Sequence, residues 1–427
     1  MTEEEPMAVA DTGPEVMHKY LSKATFIPAT MPGNQYTQPV ENHNVFVPSM
    51  SGMENRSFLK LKDADKEFDV SWWRMNDDVV SSFFYYPHML VSYWYGKDHA
   101  DFRAKFGIPS KDKFSLCGDS GGFQVVTQHV NIDPLKALEW QQFNCNWGFT
   151  LDIPPLLQDA ANTWTLTHGS HLVKCQEKTA DNAKLQHEHW SDDSYEMVFV
   201  AHGYDWAQML NARKVLKDRT GLDYDDFSGV SISCKYSDPL AVARGCFYAL
   251  QNVPENKRFH YLALSGYNTT MILLYAFTYR RDIKLTMDSS SYGSQGNIRR
   301  VYWMDDMKNV LEFGANNTSQ LKVLPCNCPV CSVVLNPEIL RQPGSLPGGL
   351  ISIHNLYVYV NFVEKLKAYS TSQSELRDYI VKAAPDIEQA LDFIDMAMER
   401  GYDVAYDRFM RDIKKMKQSS SVTVGKL

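Results

Sequence analysis

From about residue 43 the chain alternates between short apolar runs ending in Gly, Ser, Asp or Pro and longer stretches with helical spacing. The runs are VFVPSM (45–50), VVSSFFYY (79–86), KFSLCGDSGG (113–122), WGFTLDIPP (147–155), EMVFVAHG (196–203), FSGVSIS (227–233), HYLALSG (260–266) and IKLTMDSS (283–290). Between them lie helical patterns at 134–143, 174–189, 205–218, 239–253 and 268–281. Continuous apolar runs suit strands buried on both faces, and alternation with helices implies right-handed crossovers between parallel strands. Eight runs in this order predict an α/β fold, a (β/α)8 TIM barrel over 43–320. The Pro/Gly-rich stretch RQPGSLPGGL reads as a connector within a C-terminal region, 321–418, whose helical patterns break at Pro385 and Gly401. Residues 1–42 read as a partly disordered arm and 419–427 as a flexible tail.

In a barrel of this kind chemistry sits where the strands end. The residues there are Asp119 after the third run, Asp152 after the fourth, His202 after the fifth, Gly229 to Ser233 in the sixth and Asp288 in the eighth. Any single Asp at such a place is explained by turn or cap chemistry. Three carboxylates at three strand ends exceed that need.

Composition narrows the class. A chain of 427 residues with 44% apolar side chains can bury a sizeable core. No stretch approaches the roughly 18 uncharged apolar residues of a membrane span. The acidic start MTEEEPMAVADTG lacks the order of a secretory signal, so the expectation is a soluble, cytoplasmic protein, the host cytoplasm if phage-encoded. A formal charge of −8 leaves only a local positive patch for a nucleic-acid partner. Candidates are Lys235, Lys284, Arg299, Arg300, Arg103, Lys105, Lys111 and Lys113, although each taken singly reads more readily as solvated surface.

Eight cysteines are present, and Cys326, Cys328 and Cys331 fall within six positions, followed by His354. Cys-x-Cys is too tight for an easy disulfide, and the other five cysteines stand singly, which fits a reducing compartment. Three thiolates and an imidazole form a closed tetrahedral set for Zn2+, with no position left for a catalytic water. That reading makes the metal a structural staple and excludes a zinc hydrolase.

CGDSGGFQVV (117–126), with the Cys-x-Cys-x-x-Cys…His set downstream, resembles the guanine transglycosylases, which exchange a base in nucleic acid; the resemblance spans roughly 45–365. It implies the same barrel. It further implies Asp288 as nucleophile, Asp119 as general acid/base and Asp152 as the carboxylate gripping the guanine edge. Ser120, Gly121, Gly122, Phe123 and Gln124 would shape the base pocket, with Phe123 stacking on the base or serving the core. His202 and Gly203 would complete the pocket, and Gly229 would let the base approach the backbone. The chemistry is coherent: exchange with retention needs two inversions, hence a covalent glycosyl-aspartate, and a second carboxyl group to move the proton.

Three features depart from the tRNA-modifying members. AHGYD has His202 where bacterial relatives carry Gln, TLDIPP lacks the usual Asp-Glu-Cys, and SSSYGSQG lacks the arginines that follow the nucleophile. These departures, with no evident appended RNA-binding domain, imply the branch that inserts 7-deazaguanine derivatives such as preQ0 into DNA, in phages and bacterial DNA-modification clusters. A tRNA-guanine transglycosylase of queuosine or archaeosine type is the alternative, and a non-catalytic accessory subunit the second. The target nucleotide must be flipped out or single-stranded. Which 7-deazaguanine enters, any helper protein and the oligomeric state are left open by the sequence.

Overall fold

The computed structural model describes residues 45–48, 58–60, 67–69, 71–73, 80–158, 164–233, 238–263, 266–302, 310–312, 326, 328–333, 340 and 345–409. The predicted arm, the predicted tail and Lys235 lie outside them. Eight parallel strands carry the fold: β1 Val45–Pro48, β2 His88–Ser92, β3 Ser115–Asp119, β4 Trp147–Phe149, β5 Glu196–His202, β6 Gly229–Ser233, β7 Arg258–Leu262 and β8 Lys284–Ser289. Their order, β1-β8-β7-β6-β5-β4-β3-β2, puts the first strand beside the last. The edge strands β1 and β2 lie alongside each other, which rolls the sheet into a barrel.

Crossover helices follow their strands: α1 Gly122–Thr127, α2 Pro134–Asn144, α3 Gly169–Glu188, α4 Trp206–Thr220, α5 Pro239–Asn252, α6 Tyr267–Ala276 and α7 Ser291–Asn297. Local sequence starts several of them. Asp133, Asp205 and Asp238 each accept a backbone N–H of the first turn, and Pro134 and Pro239 occupy the first helical position, where no N–H is missed. Three C-terminal helices follow: α8 Ser345–Tyr369 packs chiefly on α7, α9 Gln373–Ala383 on α6, and α10 Glu388–Arg400 on α5 and α6.

Two sequence expectations are corrected. The run VVSSFFYY is not the second barrel strand. Val80–Ser82 joins a small sheet with Glu67–Asp69 and Phe58–Lys60, while Phe83 to Tyr86 are buried in the core with Trp72 and Trp73. Pro87 separates this run from β2, the less conspicuous HMLVS, which is buried throughout. The other correction concerns RQPGSLPGGL: its second half opens α8, where Pro347 falls in the first turn and costs no hydrogen bond.

Side-chain alternation splits the core in two. Leu90, Cys117, Trp147, Phe149, Val198 and Val200 point inward and fill the barrel, while the alternate residues of the same strands pack under the helices. At the N-terminal floor, Arg258 is 2% exposed and its guanidinium lies 4.2 Å from the Trp147 ring centroid. It donates to Glu196 Oε2 at 2.6 and 3.0 Å, and Lys284 Nζ reaches Glu196 Oε1 at 3.3 Å. Burial pushes the Glu196 carboxyl up, but Arg258 and Lys284 outweigh it and hold the group below its ordinary range. Glu196→Gln should therefore cost roughly 3 kcal/mol, because it strands a buried guanidinium. The wild-type contribution is present above pH about 4.5 and is lost as pH falls through the lower folded value, so the variant's deficit should shrink on acidification. Urea unfolding at several pH values measures both.

Candidate active site at the barrel mouth

Because parallel strands run in register, residues two apart on one strand rise in steps up the same inner wall. Asp119 ends β3 level with Ser92 at the end of β2; His202 ends β5 level with Ser233; Asp288 stands near the end of β8. Asp152 follows β4 by three residues and is buried. The mouth thus gathers Asp119, Asp152, His202 and Asp288.

Asp288 is buried, and its Oδ1 accepts the Ala263 N–H at 2.7 Å and lies 3.0 Å from His260 Nε2. Asp119 is also buried and hydrogen-bonded, but it faces two carboxylates. Burial, and then the charges of Asp152 and Asp288, raise its pKa to about 7 against the pull of bonds from Ser92 and the Gly121 N–H. One carboxylate is held by donors, and another is poised to carry a proton near neutral pH.

Asp152 accepts the Ser120 hydroxyl on Oδ1 at 2.7 Å, and its Oδ2 lies 3.0 Å from His202 Nε2. That second approach is off line for a hydrogen bond: among the described residues neither buried ring nitrogen of His202 has a hydrogen-bond partner. The turn after β3 is shaped for this pocket. Gly121 adopts φ +85°, and a Cβ on Gly122 would stand 2.2 Å from the Asp152 carbonyl oxygen, so DSGG brings two backbones together as side chains would forbid. Phe123 is 49% exposed at this rim, which removes the core reading of its ring, and Gln124 is buried, its Oε1 3.3 Å from Ser92 Oγ. Gly203 makes the β5–α4 turn, where a Cβ would meet Met209 N at 2.7 Å.

Several predicted residues lie elsewhere. Gly229 begins β6, level with Val198 and Arg258 near the floor. A Cβ there would meet the Arg258 carbonyl at 2.4 Å, so packing of the sheet explains this glycine. Lys284 belongs to the floor ion cluster. Arg103 donates to the carbonyls of Asn144, Pro109 and Phe114, and Lys111 to that of Gln142. The Arg103–Lys113 segment precedes β3 and lies on the floor side, away from any strand placed across the mouth. Arg299 and Arg300 do follow the end of β8.

Residues that sequence reasoning passed over support the site. Gln176 donates to the His202 carbonyl at 2.6 Å and to that of Gln208 at 3.0 Å, tying the end of β5 to α3 and α4. His260 and Thr286 occupy the inner wall directly below Asp288. A polar residue two positions before a catalytic strand end was the available signal.

Behind α7, the sulfurs of Cys326, Cys328 and Cys331 and His354 Nδ1 lie within 4.8 Å of one another. The surroundings fit a metal ion. His354 Nε2 lies 2.7 Å from the Tyr302 carbonyl, which sets the tautomer that leaves Nδ1 available. The backbone N–H groups of Cys328 and Cys331 donate to the sulfurs of Cys326 and Cys328 at 3.3 and 3.2 Å, as thiolates require. The set is compatible with structural zinc. His354 lies on α8, which packs closely on α7: a Cβ on Gly296 would stand 2.1 Å from Ser352 Oγ. The cluster thereby fixes the segment that follows Asp288.

No family model matches the chain. It is 25% identical to the tRNA-guanine(15) transglycosylase of Methanocaldococcus jannaschii over 284 residues, 64% of this chain and 40% of that protein. A protein of the same name from Methanococcus aeolicus is 22% identical over 58% of this chain and 36% of its own length. That from Pyrococcus abyssi is 34% identical over 80 residues, 19% of this chain and 12% of the relative. The chain therefore spans at most 40% of these relatives. With the barrel and the four-donor cluster, the matches support membership of the guanine transglycosylase superfamily.

Proposed function

We propose that the chain is a base-exchange transglycosylase acting on guanine in nucleic acid. The observation that carries this is the pairing at one mouth of a donor-held Asp288 with an Asp119 raised to about 7. Asp288 attacks C1′ of the target nucleoside as the C1′–N9 bond breaks, and Asp119 gives its proton to the departing guanine. The Asp119 carboxylate then takes the N9 proton of the incoming base, which attacks C1′ and releases Asp288. Asp152 accepts from the guanine edge, oriented by Ser120. Buried His202 supplies a ring nitrogen to the base, replacing an amide donor.

The names of the matched relatives favour tRNA as the polymer, against the expectation of DNA. The DNA reading retains His202 and the arginine-free SSSYGSQG. An accessory subunit without chemistry is disfavoured by the joint presence of Asp119 and Asp288 at the mouth. A 7-deazaguanine such as preQ0, the base that the sequence resemblance implies, is the first to test. The four-donor cluster is read as a structural zinc site that contributes folding energy.

Three outcomes are expected. Incubation with labelled 7-deazaguanines and either tRNA or DNA, followed by nucleoside digestion, should show incorporation into one polymer, abolished by Asp288→Asn; incorporation by that variant would remove the nucleophile assignment. The rate of the first half-reaction should fall as pH rises above about 7, because Asp119 must begin protonated. A pH profile without that limb would reassign the acid. Chelation of zinc, or Cys328→Ser, should lower unfolding stability by on the order of 3 kcal/mol or more. A metal-free protein of unchanged stability would contradict the staple.

A further inference from the structure

We propose that His260 is a positioning residue for Asp288, holding the carboxylate in one rotamer for attack and for its later release as a leaving group. This rests on the reading of Asp288 as nucleophile. Strands β7 and β8 pair in register, with His260 opposite Thr286, so the imidazole lies on the inner wall one step below Asp288. It is fully buried, its ring 5.3 Å from that of Trp147 and 5.0 Å from that of Phe149. Both nitrogens are engaged: Nδ1 lies 2.9 Å from Thr286 Oγ1, and Nε2 lies 3.0 Å from Asp288 Oδ1.

The proton can be placed by elimination. Burial favours the neutral ring, outweighing the pull of Asp288, and the positive Arg258 acts in the same direction as burial. A neutral ring with its proton on Nδ1 would face the carboxylate with a bare nitrogen, lone pair against lone pair. The proton is therefore on Nε2, donating to Asp288, and the Thr286 hydroxyl donates to Nδ1 in preference to the longer 3.3 Å approach to the Phe259 carbonyl. Thr286 fixes the tautomer, and the tautomer fixes the carboxylate.

The second donor to the same oxygen is strained. Ala263, just beyond β7, has φ +55°, a left-handed conformation that few side-chain-bearing residues adopt, and its N–H meets Asp288 Oδ1 at 2.7 Å. Two donors on one oxygen replace the water that a buried carboxylate has lost. They weaken when Asp288 becomes a neutral glycosyl ester and strengthen again as the charge returns. They therefore favour breakdown of the ester by the incoming base.

The test compares His260→Leu, His260→Gln and the near-isosteric Thr286→Val with wild type, with Asp288→Asn as reference. The readouts are kcat, KM for the base, the pH profile and the amount of denaturation-resistant polymer adduct. His260→Leu should lower kcat roughly 100-fold with KM little changed. Its acid limb should move up by about one pH unit, as loss of a charge-assisted bond requires. Adduct should accumulate when base is added, and His260→Gln should restore part of the rate. The other titratable groups sensing this pair are Asp119 and Cys117 on β3, Arg258 on β7 and Tyr359 on α8; none is altered by these substitutions. If His260→Leu does not fold, Thr286→Val should show the same shift of the limb at smaller amplitude. An inactive Asp288→Asn beside an unshifted limb and near-normal kcat in a folded His260 or Thr286 variant would overturn the positioning role alone. An active Asp288→Asn would overturn the underlying reading.

Discussion

An ionised carboxylate keeps its charge inside an apolar barrel only where donors stand in for lost water, and the mouth of this barrel is arranged around that constraint. Below Asp288 the interior is Phe149, Val198, Val200 and Trp147, none of which offers a charge any compensation except through the indole N–H, which is turned to Ser115 at 3.3 Å. The bonds from His260 and Ala263 therefore do what the medium cannot. Asp119 also accepts from Ser92 and the Gly121 N–H, but burial and two facing carboxylates outweigh them, and it takes the neutral form more easily. The division of labour between two identical functional groups thus follows from the neighbours that each strand end gives them.

The same constraint operates at the floor, where Arg258 is buried against Trp147 and answered by Glu196. The inner wall of β7 carries Arg258 at its base and His260 above it, so this strand supplies polar groups at two depths. Apolar side chains from β4 and β5 fill the space between. Layering of this kind separates a stabilising ion cluster from a reactive one along the barrel axis.

The barrel was legible because seven of its eight strands fall on apolar-rich runs, and Asp119, Asp152 and Asp288 were legible because a carboxylate closing such a run stands out. The second strand was not. VVSSFFYY has the stronger β character, but its aromatic residues pack outside the barrel, and the true strand HMLVS opens with a histidine. His260 and Thr286 escaped notice for a related reason: β7 and β8 each carry several polar residues, and cross-strand register shows which of them meet. Gly229 was misplaced because a glycine near a strand end reads alike whether it admits a ligand or a neighbouring backbone. The basic residues 103–113 were misjudged because charge is visible in sequence while the direction of a loop is not. The Cys/His cluster needed no such register, since its spacing carried the geometry.

Trp147, Phe149 and the residues beside them plug the barrel below the carboxylates, and the Arg258 layer seals it further down. For a base-exchange enzyme this makes the pocket a cul-de-sac. The outgoing purine must back out through the opening by which its replacement enters. Sequential occupancy would then be a matter of plumbing before it is one of kinetics, with the sugar kept tethered during the interval when the pocket stands empty.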